Sequence, residues 1–229
     1  MMQKTELVIF DCDGVLVDSE FLACRIESKL LNDAGVQITP EEMSERYSGL
    51  TWKDILLDVE KTAGVPLSAG LLEMSDRLLD LAMETELEMI AGADRAIERI
   101  KLPKCICSNS TTQRLKISLN RTGLMRLIEP HIFSAFEVGT KKGKPDPNVF
   151  LYGAKVFNAN PANVIVIEDS VHGVNAARAA GMRVIGFTGG SHTYPGHSDR
   201  LTEAGAETVI NRHVLLNEVI EAMGDWRGE

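Results

Sequence analysis

The chain has 229 residues, 44% of them hydrophobic and 25% charged, a globular composition long enough to bury a core. A formal net charge of −9 and the lack of any lysine/arginine cluster argue against a nucleic-acid partner. No apolar run approaches the roughly 20 residues that span a bilayer, and the N-terminal stretch MMQKTELVIFDCDGVL is too acidic for a signal peptide or anchor, so no membrane contact is expected.

The first element is the apolar run Leu7–Phe10, which reads as a strand buried on both faces. From about Glu20 to Met89 no strand pattern is evident. Amphipathic helices are predicted instead over Glu20–Ala34, Pro40–Tyr47, Trp52–Ala63 and Ser68–Glu88, with turn signals at Asn32–Gly35, Ser48–Gly49 and Gly64–Pro66. Ile90–Ala93 reads as the return hinge. Strand and helix patterns then alternate: helix Ala93–Ile100, strand Cys105–Cys107, helices Thr112–Thr122 and Val149–Phe157, strand Val164–Ile167, helix Val171–Ala180, strand Arg183–Phe187, a weaker strand Thr208–Ile210 and helix Val214–Met223. Such alternation predicts an α/β fold, a doubly wound parallel sheet. Residues 1–16 and 90–229 would form the core, and residues 17–89 an inserted helical subdomain. Cys12, Cys24, Cys105 and Cys107 read as free thiols in a reducing cytoplasm, with Cys105 and Cys107 on one face of their strand.

Four groups of polar residues fall at strand ends or in the loops beyond them. The first strand runs into Asp11-Cys12-Asp13-Gly14, two carboxylates whose cost at a buried strand end is offset if they hold a hard cation. Ser108-Asn109-Ser110 follows the second strand and resembles a phosphate cradle, although serine and asparagine also cap ordinary helices. Lys144, before Pro145, can present a point charge to phosphate or simply belong to a solvated basic loop. Glu168-Asp169-Ser170 ends the Val164–Ile167 strand. Each piece alone has an ordinary structural explanation. Their order along one α/β layout points to a site at the carboxyl ends of the strands.

These segments, Asp11-Cys12-Asp13-Gly14-Val15-Leu16-Val17-Asp18-Ser19, Ser108-Asn109, Lys144-Pro145-Asp146-Pro147 and Glu168-Asp169-Ser170 with Gly173 and Ala176-Ala177, resemble the haloacid dehalogenase-like hydrolase superfamily, in its branch with a small helical cap after the first motif. The resemblance covers nearly the whole chain. It implies a Rossmann-like core and a phosphatase with Asp11 as nucleophile and Asp13 as general acid and base. Ser108, Asn109 and Lys144 would bind the phosphoryl oxygens. Mg2+ would be held by Asp11, the Asp13 backbone carbonyl and Asp169, with Glu168 in support. Asp13 favours phosphate-ester chemistry over carbon–halogen or carbon–phosphorus cleavage, whose enzymes generally lack this acid. A β-phosphoglucomutase-like mutase is the alternative, followed by a phosphonatase. Against the mutase, Ala23 stands where those proteins carry a cap histidine, and Trp52 near where they carry an arginine.

The cap would set specificity for a small phosphorylated metabolite, through the loop Ser48-Gly49-Leu50-Thr51-Trp52-Lys53. Trp52 can stack on a sugar ring and Lys53 can pair with an acid; as structural residues they would be a cap-core aromatic and a solvated lysine. None of His131, His172, His192, His197 and His213 has metal-binding spacing, and packing is the expected role for all, with His172 the one placed to approach the site. Residues 189–197 read as a mobile loop near the substrate entrance or as a plain surface connection. No protein partner is implied.

Overall fold

A computed structural model describes residues 4–47, 50–64 and 70–225. Strand β1 (Leu7–Phe10) is followed by helices α1 (Ser19–Asp33), α2 (Pro40–Tyr47), α3 (Trp52–Ala63) and α4 (Gly70–Thr85). The chain then runs α5 (Ala93–Arg99), β2 (Lys104–Ser108), α6 (Thr112–Arg121), α7 (Met125–Ile128), β3 (Ile132–Ser134), α8 (Asn148–Val156), β4 (Val164–Glu168), α9 (Val171–Ala179), β5 (Arg183–Phe187), α10 (His197–Glu203), β6 (Thr208–Ile210) and α11 (Leu216–Asp225). The six strands form one parallel sheet in the order β3-β2-β1-β4-β5-β6.

Side chains alternate across this sheet, and both faces are covered. Val8, Phe10, Ile106, Ile165 and Ile167 pack beneath α5, α6 and α11. Leu7, Ile9, Cys105, Cys107, Val164 and Val166 pack beneath α8, α9 and α10. The fold is therefore α/β, doubly wound and Rossmann-like. Cys105 and Cys107 share a face, and all four cysteines are free. Among the described residues, no helix is long and apolar enough to cross a membrane.

The four helices after β1 carry a small apolar cluster of their own, with Leu31, Met43, Tyr47, Ile55 and Val59 at its centre. Local signals set their ends. Thr39 and Glu42 close a reciprocal capping box before α2, at 2.8 and 3.1 Å. The Thr51 hydroxyl accepts from the Asp54 N–H at the start of α3, and Gly64 ends that helix in the left-handed region. Leu22 of α1, Ala82 and Met83 of α4, and Leu87 just beyond α4 join the cluster under the sheet. Two chain segments link insertion and core, and Val17 bridges both Asp13 and Met89. The expected turn at Ser48–Gly49, most of the one at Gly64–Pro66 and the first two residues of the predicted Ser68–Glu88 helix lie outside the described residues.

Strand β3 and helices α7 and α10 leave no sustained pattern in the sequence. Strand β3 has three residues, and its inward apolar side chains Ile132 and Phe133 are only partly buried, so no sustained pattern marks it. Helix α7 is a single turn. Helix α10 is polar apart from Leu201, too sparse a stripe to signal amphipathicity.

Candidate active site

The sheet assembles the site by register. Phe10 pairs with Ile106 on one side and Ile167 on the other, and the Asp11 N–H donates to the Ile167 carbonyl at 3.0 Å. The residues just past these three positions therefore converge at the carboxyl ends of the central strands, where the chain crosses from one side of β1 to the other. Asp11, Glu168 and Asp169 are all buried there, with one carboxylate oxygen from each within 4.8 Å of the others.

Lys144 supplies the counter-charge. Its ammonium donates to Asp11 Oδ1 at 2.7 Å and to Glu168 Oε1 at 2.5 Å, with only 4% of its side chain exposed. Burial pushes the ammonium pKa down, but the two carboxylates outweigh it and the net shift is upward. Asn109 fixes the lysine's backbone by accepting from the Lys144 N–H at 2.8 Å. Asn148 stitches the loop that carries it, donating to the carbonyls of Ala135, Val138 and Lys142 and accepting from the Thr140 N–H. Glu168 Oε2 accepts from both the N–H and the hydroxyl of Ser170, each at 3.0 Å. Its carboxyl fits only because residue 173 is glycine: a Cβ there would lie 1.8 Å from Oε1.

Asp13 stands slightly apart, with Oδ1 accepting from the Ser19 hydroxyl at 2.7 Å. Oδ2 accepts from Ser110 at 2.8 Å and from Ser108 at 3.1 Å. Three hydroxyls from two parts of the chain thus orient this carboxylate beside the cluster.

Lys144 meets Asp11 and Glu168 but not Asp169, so the three buried acids outnumber the one lysine. Burial pushes the Asp11 carboxyl well above its ordinary range against the pull of Lys144, and Glu168, Asp169 and Asp13 add to the rise. Glu168 is also raised, by burial first. Hard oxygen donors with uncompensated charge suit a divalent cation such as magnesium. Asp11, Glu168 and Asp169 are the residues placed to hold one.

Two residues that sequence reasoning did not assign to the site belong near it. His192, expected to serve only in packing, sets Nε2 2.9 Å from Asp169 Oδ2. Burial lowers its pKa, but Asp169 outweighs that and raises it. Nothing in its neighbourhood, Gly-Gly-Ser-His-Thr, marks it in sequence, because its place depends on the loop after β5. Glu20, in the first turn of α1, reaches solvent yet is crowded by protein. That desolvation first, and then the Asp169 charge, push its carboxyl up to about 7.

Other predicted residues lie elsewhere. The Trp52 indole packs against the insertion's own cluster and donates to the Leu71 carbonyl at 3.2 Å. Lys53 is exposed, and among the described residues no hydrogen bond or ion pair joins either to the carboxylates. Ser48 and Gly49 of the same loop lie outside the described residues. His172 is exposed on a 480 Å³ pocket beside the site, which Ser170, Tyr194 and Arg200 also line. Residues 189–196 form a loop of turns, and His197 already belongs to α10. Its Nε2 lies 2.7 Å from the Asp169 carbonyl.

Comparison with known proteins shows the family to which the chain belongs. The family profile described as haloacid dehalogenase-like hydrolase matches residues 8–187. A 6-phosphogluconate phosphatase of Escherichia coli is 32% identical over 85% of this chain and 87% of its own length. A phosphorylated carbohydrates phosphatase of Thermotoga maritima is 30% identical over 95% of this chain and all of its own. Among solved structures, a conserved haloacid dehalogenase-like protein of unknown function from Agrobacterium tumefaciens superposes with a TM-score of 0.93 at 56% identity, covering 95% of this chain and 98% of that one. With the profile spanning most of the chain and a relative 32% identical over most of both lengths, this protein belongs to the haloacid dehalogenase-like hydrolase family.

Proposed function

We propose that this protein is a magnesium-dependent phosphatase that hydrolyses a small phosphomonoester, a sugar phosphate or phosphorylated acid, through an aspartyl-phosphate on Asp11. The observation that carries the reading is the juxtaposition of Asp11, Lys144, Glu168 and Asp169 with Asp13 oriented beside them. The names of the Escherichia coli and Thermotoga relatives support the substrate class.

In this mechanism an Asp11 oxygen attacks phosphorus and the bond to the leaving oxygen breaks. Asp13 gives that oxygen a proton, then takes one from the water that attacks the aspartyl-phosphate. The second attack breaks the phosphorus–Asp11 bond and frees phosphate. Lys144 neutralises phosphoryl charge while keeping Asp11 aligned, and Ser108 and Asn109 border the phosphoryl position. Bound magnesium supplies further neutralisation of phosphoryl charge. The helical insertion, residues 17–89, acts as a cap that excludes bulk water and limits substrates to small molecules.

The test is phosphate release from a panel of small phosphomonoesters with and without magnesium, using Asp11→Asn as the control. Turnover that requires magnesium and disappears in the variant supports the reading. A folded protein that releases phosphate from none of them overturns it.

A further inference from the structure

The loop after β5 touches three parts of the molecule within two residues. His192 Nε2 meets Asp169 Oδ2 at 2.9 Å, and the residue is 6% exposed. The His192 backbone carbonyl accepts a hydrogen bond from the hydroxyl of Ser44 on α2, 148 positions away in sequence. The preceding residue, Ser191, donates its N–H to Asp18 Oδ1 at 2.9 Å and its hydroxyl to Asp18 Oδ2. Asp18 lies in the segment that leads from the core into α1.

The imidazole has no second polar anchor: Nδ1 is buried without a hydrogen-bond partner among the described residues. Packing and the position of its own backbone therefore set the ring's orientation. On one side the packing is tight because residue 14 lacks a side chain. A Cβ on Gly14 would lie 1.9 Å from Asp169 Oδ2 and 2.8 Å from the His192 ring. Ser44 and Asp18 hold the backbone, and both belong to the insertion or to its linker. A metal-ligating carboxylate depends on its outer partner for orientation: a donor on one oxygen fixes the rotation and presents the other to the ion.

We propose that His192 is a positioning residue for Asp169 as a metal ligand, and that the Ser44 and Asp18 contacts tie this positioning to the seating of the cap. Metal affinity is then higher with the cap seated, and by linkage bound metal favours the seated cap. The inference rests on the metal site of the proposed function. It adds a residue and a coupling that the carboxylate cluster alone does not contain.

The test is a direct titration with Mn2+, following free ion by electron paramagnetic resonance, on the full chain without substrate. His192→Ala and the space-filling His192→Phe both remove the donor, and each should weaken binding by about 10- to 100-fold. His192→Gln, which restores a donor, should recover part of the loss, a rescue that a merely structural role does not predict. Ser44→Ala leaves the imidazole in place and should weaken binding by about 5-fold or more. Circular dichroism identifies any variant that fails to fold, and the other donor-free variant then decides. Wild-type protein that binds no Mn2+ sinks the metal site and this inference together. Tight wild-type binding matched by the donor-free variants overturns the role of His192 alone. Weak binding in those variants with wild-type affinity in Ser44→Ala overturns the tie to the cap.

Discussion

Lys144 Nζ lies 2.7 Å from Asp11 Oδ1, although the two residues are 133 positions apart. The same ammonium reaches Glu168, so one cation answers two acids that are both almost fully enclosed. Removing one partner of such a buried set leaves the others uncompensated, which costs more than the pair contributes when complete.

Lys144→Met should therefore lower stability by about 3–5 kcal/mol. In a chain of this size that is a fall of roughly 10 °C in Tm. Activity should drop at least about 100-fold. Thermal denaturation and phosphate release measure the two effects. An unchanged Tm would show that water already relieves the charge.

Gly173→Ala sets two effects against each other. Alanine improves helix propensity by about 1 kcal/mol, yet its Cβ would lie 1.8–2.2 Å from the Glu168 carboxylate atoms. Overpacking of this kind costs about 1–3 kcal/mol, and the affected carboxylate is held on its other sides by Lys144 and Ser170. The variant should melt lower and release phosphate more slowly. A higher melting temperature would show that Glu168 moves aside at no cost.

Metal and protons should compete for the cluster. Asp11 and Glu168 have raised pKa values in the folded metal-free protein, so the stability linked to their protonated forms is lost as pH rises through those values. Magnesium binds the ionised forms, and its stabilising effect should grow with pH. Melting curves at about pH 6 and pH 8, with and without magnesium, give the comparison. A magnesium-induced rise in Tm that is equal at both values contradicts the charge argument.

Glu27 on α1 offers a pH effect outside the catalytic cluster. Burial first, then the charges of Glu20 and Asp76, push its carboxyl up to about 8. The neutral form is favoured in the folded state, so this contribution is present at acid pH and lost as pH rises from the ordinary carboxylate value through about 8. Asp76 is itself paired with Arg114 of α6 at 3.0 Å, which softens its field. Discounting for the partly exposed position of Glu27, Glu27→Gln should gain about 1 kcal/mol at alkaline pH and nothing near pH 5. The gain is read as a rise of about 2–4 °C in Tm. Equal melting temperatures at alkaline pH would show that Glu27 is ionised without penalty.

The α/β class, the longer buried strands and the acids that follow them were legible in the order of residues alone. Buried parallel strands need continuous apolar runs, and Leu7–Phe10 and Val164–Glu168 are fully buried along their length. The run of four helices between β1 and α5 was legible for the complementary reason, since strand patterns stop there and amphipathic spacing takes over. Short elements such as β3 and α10 bury too few residues to leave a periodic trace.

Which distant residues become partners emerges only on folding. Sequence order places Asp13 two residues from Asp11, yet its carboxylate is held by Ser19, Ser108 and Ser110, while Glu168 takes the third corner of the acidic cluster. Trp52 turned inward because an indole gains more by joining an apolar cluster, with its N–H satisfied by Leu71, than by facing water. His192 reached Asp169 because the loop after β5 is held by Asp18 and Ser44, contacts that span 173 and 148 positions. Local propensity and periodicity carry no record of such contacts; they arise when the sheet brings the carboxyl ends of distant strands together.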